Sequence, residues 1–242
     1  MANESYYIRN KPKLMKRYSY SLKIAKDLLL ERFDESKSDD LIDQMRTEYE
    51  RILTKLPDIG GKRNFLIATF TDKLSLLAMF FILEKEGYKY REIGEFCNNF
   101  TEIEAKNGMK RAEKKGIDLK DLYFNDAFFN SVEKHCNDTL KKKYSENWVM
   151  EYVDGKNEDF DYGMNVSECA VHKAYTKLGG ERYAPFPCLI DYAQAHVLKS
   201  GLSRTRSLAN GASGCDHRYT KSGNTPKAWP PDDFPEYTGK FE

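Results

Sequence analysis

Hydrophobic positions in the N-terminal half of the chain recur at helical spacing. One stripe runs from Leu14 to Phe33 and a second from Ile42 to Leu56. A period of three to four residues puts the side chains of each stripe on one face of a helix. The second helix is expected to stop at Pro57, because proline cannot continue a helix.

The most apolar segment, Leu74–Leu83, predicts a buried helix that ends near Gly87. It is too short to cross a bilayer, which takes about 20 apolar residues. Further helices are predicted over 90–100 and 126–143, and the charged stretch 102–115 between them is expected to be solvated. The first half of the chain is therefore predicted to be helical.

From Trp148 the hydrophobic period changes to two, which is typical of β-strands. Residues 148–153 and 160–166 predict an antiparallel hairpin, and 202–208 and 215–220 predict two more strands of the same sheet. The second half of the chain therefore contains a small sheet.

Two helices are predicted between these strands. The first is capped by Ser167 and runs to Leu178. The second begins at Pro187 and runs to about Lys199, because proline suits the first helical position.

The predicted fold class is α+β, with an N-terminal helical layer followed by a small antiparallel sheet on which helices pack. We expect one compact unit: a mainly helical part (1–145), a sheet with two helices that carries the site (146–224), and a proline-rich irregular tail (225–242). The tail is either docked through Trp229 and Phe234 or mobile.

Charge and composition narrow the classes of partner. The 39 Lys and Arg residues against 38 Asp and Glu leave a net charge of +1, so nucleic acid and anionic membranes are not expected partners. The polar N-terminus lacks the apolar core of a secretory signal, and we expect a cytoplasmic protein. The expected partner is a small-molecule substrate, and the oligomeric state stays open.

The cysteines carry the main functional signal. Five of them, an odd number in a chain expected to be cytoplasmic, argue against a disulfide framework. Cys97 and Cys136 lie on apolar stripes, where cysteine acts as a small buried hydrophobe. Cys169, Cys188 and Cys215 instead cluster in a segment that is also rich in histidine.

Cys188 is the first candidate nucleophile. If a helix begins at Pro187, Cys188 lies in its first turn, where unpaired backbone N–H groups and the helix dipole stabilise a thiolate. Asp191, one turn further, could orient a histidine, bind a substrate amine or accept a proton. The alternative is a buried cysteine beside an aspartate that the helix dipole favours.

Cys215 and His217 form a second candidate pair, because alternate residues of a strand point to the same face. The glycines before them, including Gly214, would let backbone N–H groups approach a ligand as an oxyanion site requires. The alternative is an ordinary glycine-rich hairpin loop.

Two further pairs complete the candidate site. Cys169 and His172 share a face of their predicted helix. Arg204 and Arg206 share a face of their predicted strand and would suit a substrate carboxylate, unless that face is simply solvated.

The same residues could also bind zinc, through Cys169, Cys188 and Cys215 with His172 or Asp191. Their spacings match no paired-cysteine zinc pattern, and a nucleophilic site explains them without an ion. We therefore predict neither a metal nor a cofactor.

With these residues, the segment 165–219 resembles the L-2-amino-thiazoline-4-carboxylic acid hydrolase family, and the upstream helices from 57 to 87 are similar to it as well. The shared features are Glu168-Cys169 opening a helix, Leu178-Gly179 ending it, Cys188-x-x-Asp191, Arg204 in a strand, and Leu208-x-x-Gly211 before Cys215-Asp216. The resemblance implies hydrolytic opening of a small cyclic amidine-like ring that bears a carboxylate, or related C–N chemistry.

The resulting hypothesis is a cysteine-dependent hydrolase. Cys188 attacks the ring carbon, with Cys215 as the second choice. Asp191 transfers protons together with His172 or His217. Backbone N–H groups near Gly214 hold the developing charge. The substrate carboxylate binds to one of two arginines, Arg204 or Arg206. The alternatives are a non-catalytic small-molecule sensor and a cysteine-dependent acyl transferase.

Overall fold

A computed structural model describes residues 5–233, 236 and 237, and its fold is α+β as predicted. The helices before the sheet are α1 Tyr6–Arg9, α2 Lys11–Leu29, α3 Glu35–Leu53, α4 Ile67–Lys85, α5 Tyr90–Glu113, α6 Leu119–Tyr123 and α7 Asp126–Leu140. The remaining elements are β1 Val149–Asp154, β2 Tyr162–Glu168, α8 Ala170–Lys177, α9 Pro185–Leu198 and β3 Cys215–Tyr219.

Helix α4 is the centre of the core, because its sequence is apolar on nearly every side. Leu74, Leu77 and Phe80 are completely buried. The helix packs against α3 and α5 and, on another side, against α8. The prediction of a buried helix over 74–83 is confirmed, and among the described residues no helix is long and apolar enough to cross a membrane.

Helix α5 is much longer than the predicted helix over 90–100. It continues through the charged stretch to Glu113 as a mostly solvated helix. Glu102 and Lys106, one turn apart, form an ion pair with an N–O distance of 3.0 Å, the spacing that supports an exposed helix. The charged stretch is therefore helical as well as solvated.

The three strands form one antiparallel sheet in the order β1-β2-β3. The predicted hairpin is confirmed, with Tyr152 opposite Met164. On the other side of β2, Val166 pairs with Cys215 and Met164 with His217. Cys215 and His217 therefore lie on the same face of the sheet, as their spacing predicts.

The predicted strand over 202–208 is wrong. It makes only a single bridge, between Ser203 and Arg218. The Asp216 carboxylate accepts hydrogen bonds from the backbone N–H groups of Thr205 (2.9 Å) and Arg206 (3.0 Å), which turns the chain away from the sheet. As a result Arg204 is buried whereas Arg206 is exposed.

Both helices after the hairpin begin elsewhere than predicted. Cys169, and not Ser167, occupies the N-cap position of helix α8, because β2 continues its pairing with β1 as far as Glu168. Helix α9 begins at Pro185, two residues before Pro187, directly after a short 3-10 turn. These shifts change the position of two candidate thiols relative to the helix starts.

The described part of the tail is docked on the core and has no regular structure apart from a 3-10 turn at Pro231–Asp233. Trp229 is partly buried against the core, and the Glu236 side chain is completely buried. Phe234, the other residue predicted to dock the tail, lies outside the described residues.

Gly94 in α5 is the close-approach point for this tail. A Cβ atom at Gly94 would lie 2.5 Å from the Trp229 ring and 2.8 Å from the Phe186 ring.

Gly94→Ala is therefore expected to lower the free energy of unfolding by about 1–3 kcal/mol, as overpacking does, measured by urea unfolding. Gly108→Ala is the matched control in α5, since the nearest side-chain atom is 4.0 Å away, and it should be neutral or stabilising. Equal stability of the two variants would contradict the prediction.

Candidate active site

A cavity of about 250 Å³ lies between α4, α8, α9 and the sheet. Six of the residues proposed for chemistry line it together, namely Cys169, His172, Cys188, Asp191, Cys215 and His217. Arg204 lines it too, but Arg206 and Gly214 do not. The Gly214 backbone instead packs against the Val166 carbonyl, where a Cβ atom would be only 2.9 Å from its oxygen.

The Asp191 carboxylate is the hub of the polar contacts in this cavity. One oxygen accepts a hydrogen bond from Lys73 Nζ at 2.7 Å. The other oxygen lies 3.5 Å from Arg204 Nη1 and 3.8 Å from His217 Nε2. Burial by itself raises the pKa of Asp191, but the Lys73 and Arg204 cations outweigh it and hold the pKa well below its usual range. Asp191 is therefore a carboxylate at neutral pH.

Lys73 is a site residue that the sequence reasoning missed. Its Nζ donates to Asp191 and, at 2.7 Å, to the Pro187 carbonyl oxygen, and only 14% of its side chain is exposed. Burial lowers the pKa of Lys73, but the charge of Asp191 more than offsets this, so the pKa is raised. Two of the three ammonium protons are used, which leaves one for a ligand. The sequence indicated this role only through a single positive charge directly before the apolar segment of α4.

Arg204 already binds a protein carboxylate. Its Nε and Nη2 each lie 2.8 Å from an oxygen of Glu236, and both side chains are completely buried. Its Nη2 also donates to the Cys188 carbonyl oxygen at 3.2 Å. The predicted role in binding a substrate carboxylate therefore does not fit Arg204, because Glu236 occupies that position. Glu236 gave no sequence signal, since it lies in the aperiodic tail.

The contact with Arg204 fixes the tautomer of His217. His217 Nε2 is 3.1 Å from Arg204 Nη1, and because a guanidinium can only donate, Nε2 must accept. The ring proton is therefore on Nδ1, which is buried without a hydrogen-bond partner. Burial and the Arg204 cation lower the pKa of His217 despite Asp191, so the ring is neutral at neutral pH.

Cys188 is less favourably placed than the sequence suggested. It is the fourth residue of α9, and Pro185 and Pro187 before it have no N–H groups, so the helix start offers few donors to its thiol. Burial raises the pKa of Cys188 strongly, although the Arg204 and Lys73 cations oppose this. Cys188 is therefore a thiol at neutral pH.

Cys169 occupies the N-cap position of α8, with extended backbone geometry. Its thiol makes no full capping hydrogen bond, and burial raises its pKa. The backbone N–H groups of His172 and Val171 and the Lys73 cation all oppose that rise. Cys169 and His172, the third residue of α8, both line the cavity at the N-terminus of this helix.

Cys215, at the start of β3, completes the trio of thiols. Its Sγ accepts a hydrogen bond from the Leu208 backbone N–H at 3.3 Å. Burial raises the pKa of Cys215 to about 11, with the Leu208 N–H and Arg204 opposing.

Within residues 5–233, 236 and 237, no three His, Cys, Asp or Glu side chains are grouped so that they could hold a metal ion.

Comparison with known protein families identifies a related family. The model of a family described as L-2-amino-thiazoline-4-carboxylic acid hydrolase matches residues 72–219, more than half of the chain. The matched segment begins one residue before Lys73 and contains the three thiols of the cavity, whereas Glu236 lies beyond it. No curated protein and no solved structure matches the chain.

Proposed function

Because the chain belongs to the L-2-amino-thiazoline-4-carboxylic acid hydrolase family, we propose that it is a cysteine-dependent hydrolase that opens a small cyclic amidine-like carboxylate or cleaves a related C–N bond. One observation carries this proposal: the thiols, imidazoles and carboxylate of distant segments line a single cavity together with a buried lysine.

We assign the attack to Cys169 in place of Cys188, and proton transfer to His172. The Cys169 thiol has two helix N-terminal N–H groups and a lysine that favour its thiolate, whereas the start of α9 is depleted of donors by its prolines. A neighbouring imidazole can take the thiol proton as the sulfur attacks. Cys188 and Cys215 then line the cavity without forming the covalent bond.

Lys73 binds the substrate carboxylate in this assignment. Its remaining ammonium proton is the available cationic donor, since the Arg204 guanidinium is fully occupied. Asp191 keeps Lys73 charged and fixed in place, and the neutral His217 offers its Nδ1–H to a substrate nitrogen or oxygen.

The reaction consumes one water and breaks one C–N bond. The Cys169 thiolate adds to the amidine carbon, the C=N electron pair moves to the ring nitrogen, and that nitrogen takes the proton held by His172. The lone pair of the exocyclic amino group then forms a C=N bond, and the bond between the same carbon and the ring nitrogen breaks. One proton passes from the exocyclic nitrogen to the ring nitrogen, which leaves as an amine. Water adds to the same carbon, and the cysteine leaves as a thiol while a carbonyl forms.

The test is incubation with 2-amino-thiazoline-4-carboxylate followed by mass spectrometry of the small molecules. The expected product is heavier than the substrate by one water. Binding that leaves the compound unchanged would support a non-catalytic sensor. In a parallel incubation with a thioester, a stable acyl group on the enzyme would support an acyl transferase. Either result would contradict the proposal.

Lys73→Met is expected to raise the KM for this substrate about 10- to 100-fold, because a charge-assisted hydrogen bond to the carboxylate is lost. Lys106→Met, which removes an exposed lysine of α5, is the control and should leave KM unchanged. Both are measured by steady-state kinetics on protein shown to be folded by circular dichroism. A Lys73→Met enzyme with wild-type KM would exclude Lys73 as the carboxylate-binding group.

A further inference from the structure

A second cavity, of about 270 Å³, adjoins the candidate active site. The two cavities share part of their walls, namely Leu66, Met164, Asp191, Gln194 and Tyr219. Asp191, which binds Lys73, therefore forms part of the wall of both cavities.

Six of the fifteen residues that line this second cavity are phenylalanine or tyrosine. Rings come from α6, α7, the sheet and the segment before α4, and they are Phe65, Tyr123, Phe124, Phe128, Tyr162 and Tyr219. Tyr162 stacks on Tyr219 at a centroid distance of 4.9 Å, while Phe124 and Phe128 pack edge-on against Tyr162. Aromatic rings bind other rings in such offset and edge-on arrangements.

One polar group in this cavity has no partner. His135 of α7 is about nine-tenths buried beside the Phe65 ring, and its Nε2 makes no hydrogen bond. His135 is therefore buried although its sequence neighbours are charged. Native proteins seldom leave a buried nitrogen unpaired, and such a group points to a ligand that supplies the partner.

The mouth of the cavity is exposed. Phe65 is 49% exposed and Tyr123, in the short helix α6, is 36% exposed. Large exposed aromatics at the edge of a concave site are typical of a surface that a ligand covers.

We infer that this aromatic cavity binds an aryl group of the substrate, so that the substrate class is a carboxylate with a hydrolysable C–N bond and an aromatic ring a few bonds away. The inference rests on the proposed function for the position of the carboxylate. A cavity of about 150 Å³ holds benzene, so about 270 Å³ takes one ring with a short linker. A hydroxyl on that ring would pair with His135 Nε2.

The test compares two carboxylates that differ only in the ring, butyrate and 4-phenylbutyrate, by isothermal titration calorimetry. Binding is measured without turnover, so the result does not depend on hydrolysis. The wild-type protein is expected to bind 4-phenylbutyrate about 10- to 100-fold more tightly, as burial of a phenyl group predicts. Equal affinities, or no detectable binding of 4-phenylbutyrate, would overturn the inference.

Two variants locate the ring. Phe65→Ala opens the mouth, and Ala195→Phe fills the cavity from α9; each should reduce the ratio of the two affinities several-fold while butyrate binding is unchanged. Tyr20→Ala removes an exposed aromatic side chain of α2 that does not line this cavity, and it should leave the ratio unchanged. A ratio that persists in both variants would overturn the inference even if 2-amino-thiazoline-4-carboxylate is hydrolysed. A ratio that responds as expected supports the aryl site even if that compound is not hydrolysed.

Discussion

Cys169→Ala is expected to lower kcat for the hydrolysis of 2-amino-thiazoline-4-carboxylate by about 1000-fold or more. The reason is that removal of a covalent nucleophile abolishes the pathway that it opens, whereas other residues contribute smaller factors. The measurement is steady-state turnover, with intact-mass analysis to detect the covalent intermediate. The wild-type enzyme should show the adduct, and the variant should not.

Cys188→Ala and Cys215→Ala are the matched controls, because both thiols line the same cavity. They should retain turnover within about tenfold. If Cys188→Ala is inactive and Cys169→Ala is active, the nucleophile is Cys188 and our assignment is wrong.

The raised pKa of Cys169 predicts how its reactivity depends on pH, which tests the same assignment. Since burial keeps the pKa above the ordinary thiol value of about 9, the thiolate fraction of the free enzyme should rise about tenfold per pH unit from pH 7 to 9. Alkylation of Cys169 by iodoacetamide, followed by peptide mass spectrometry, should rise in parallel. A plateau below pH 8 would show that the thiolate is already formed at neutral pH.

Arg204→Met is expected to destabilise the protein by about 3–5 kcal/mol, the cost of leaving a buried charge without its partner. Glu236 is completely buried and binds the guanidinium through both oxygens, so its charge cannot be solvated when the arginine is lost. The measurement is the free energy of unfolding in urea.

The double variant Arg204→Met with Glu236→Gln distinguishes this cause from a packing defect. It removes both charges and should recover most of the lost stability, because an uncharged pair carries a much smaller desolvation cost. Without such recovery, the loss would have to be assigned to the contacts that Arg204 makes with Tyr192, His217 and the Cys188 carbonyl.

Hydrophobic periodicity predicted the buried faces correctly where the pattern lies within a single helix or strand. The helical stripe from Leu14 to Phe33 predicted a buried face that the structure has as far as Leu29, and the apolar run of α4 predicted a buried helix, because each pattern repeats within one helix. The same logic placed Cys215 and His217 on one face of β3. Local pattern was sufficient for these features.

Local pattern failed where distant residues decide the structure. The alternation around Arg204 is typical of a strand, but the Asp216 carboxylate captures two backbone N–H groups and bends the segment. Lys73 meets Asp191 across 118 positions of sequence, and nothing near either residue signals the pair. Contacts of this kind depend on how the helices and the sheet pack together.

The ion pair between Arg204 and Glu236 also bears on how related sequences should be compared. The family match ends at residue 219, so a comparison restricted to the matched segment omits the carboxylate that neutralises this arginine. In a relative whose tail differs, the homologous guanidinium would be free to bind an anion, and the substrate acid could then occupy a different position. Substrate preference in the family could therefore change through the tail while every matched residue stayed the same.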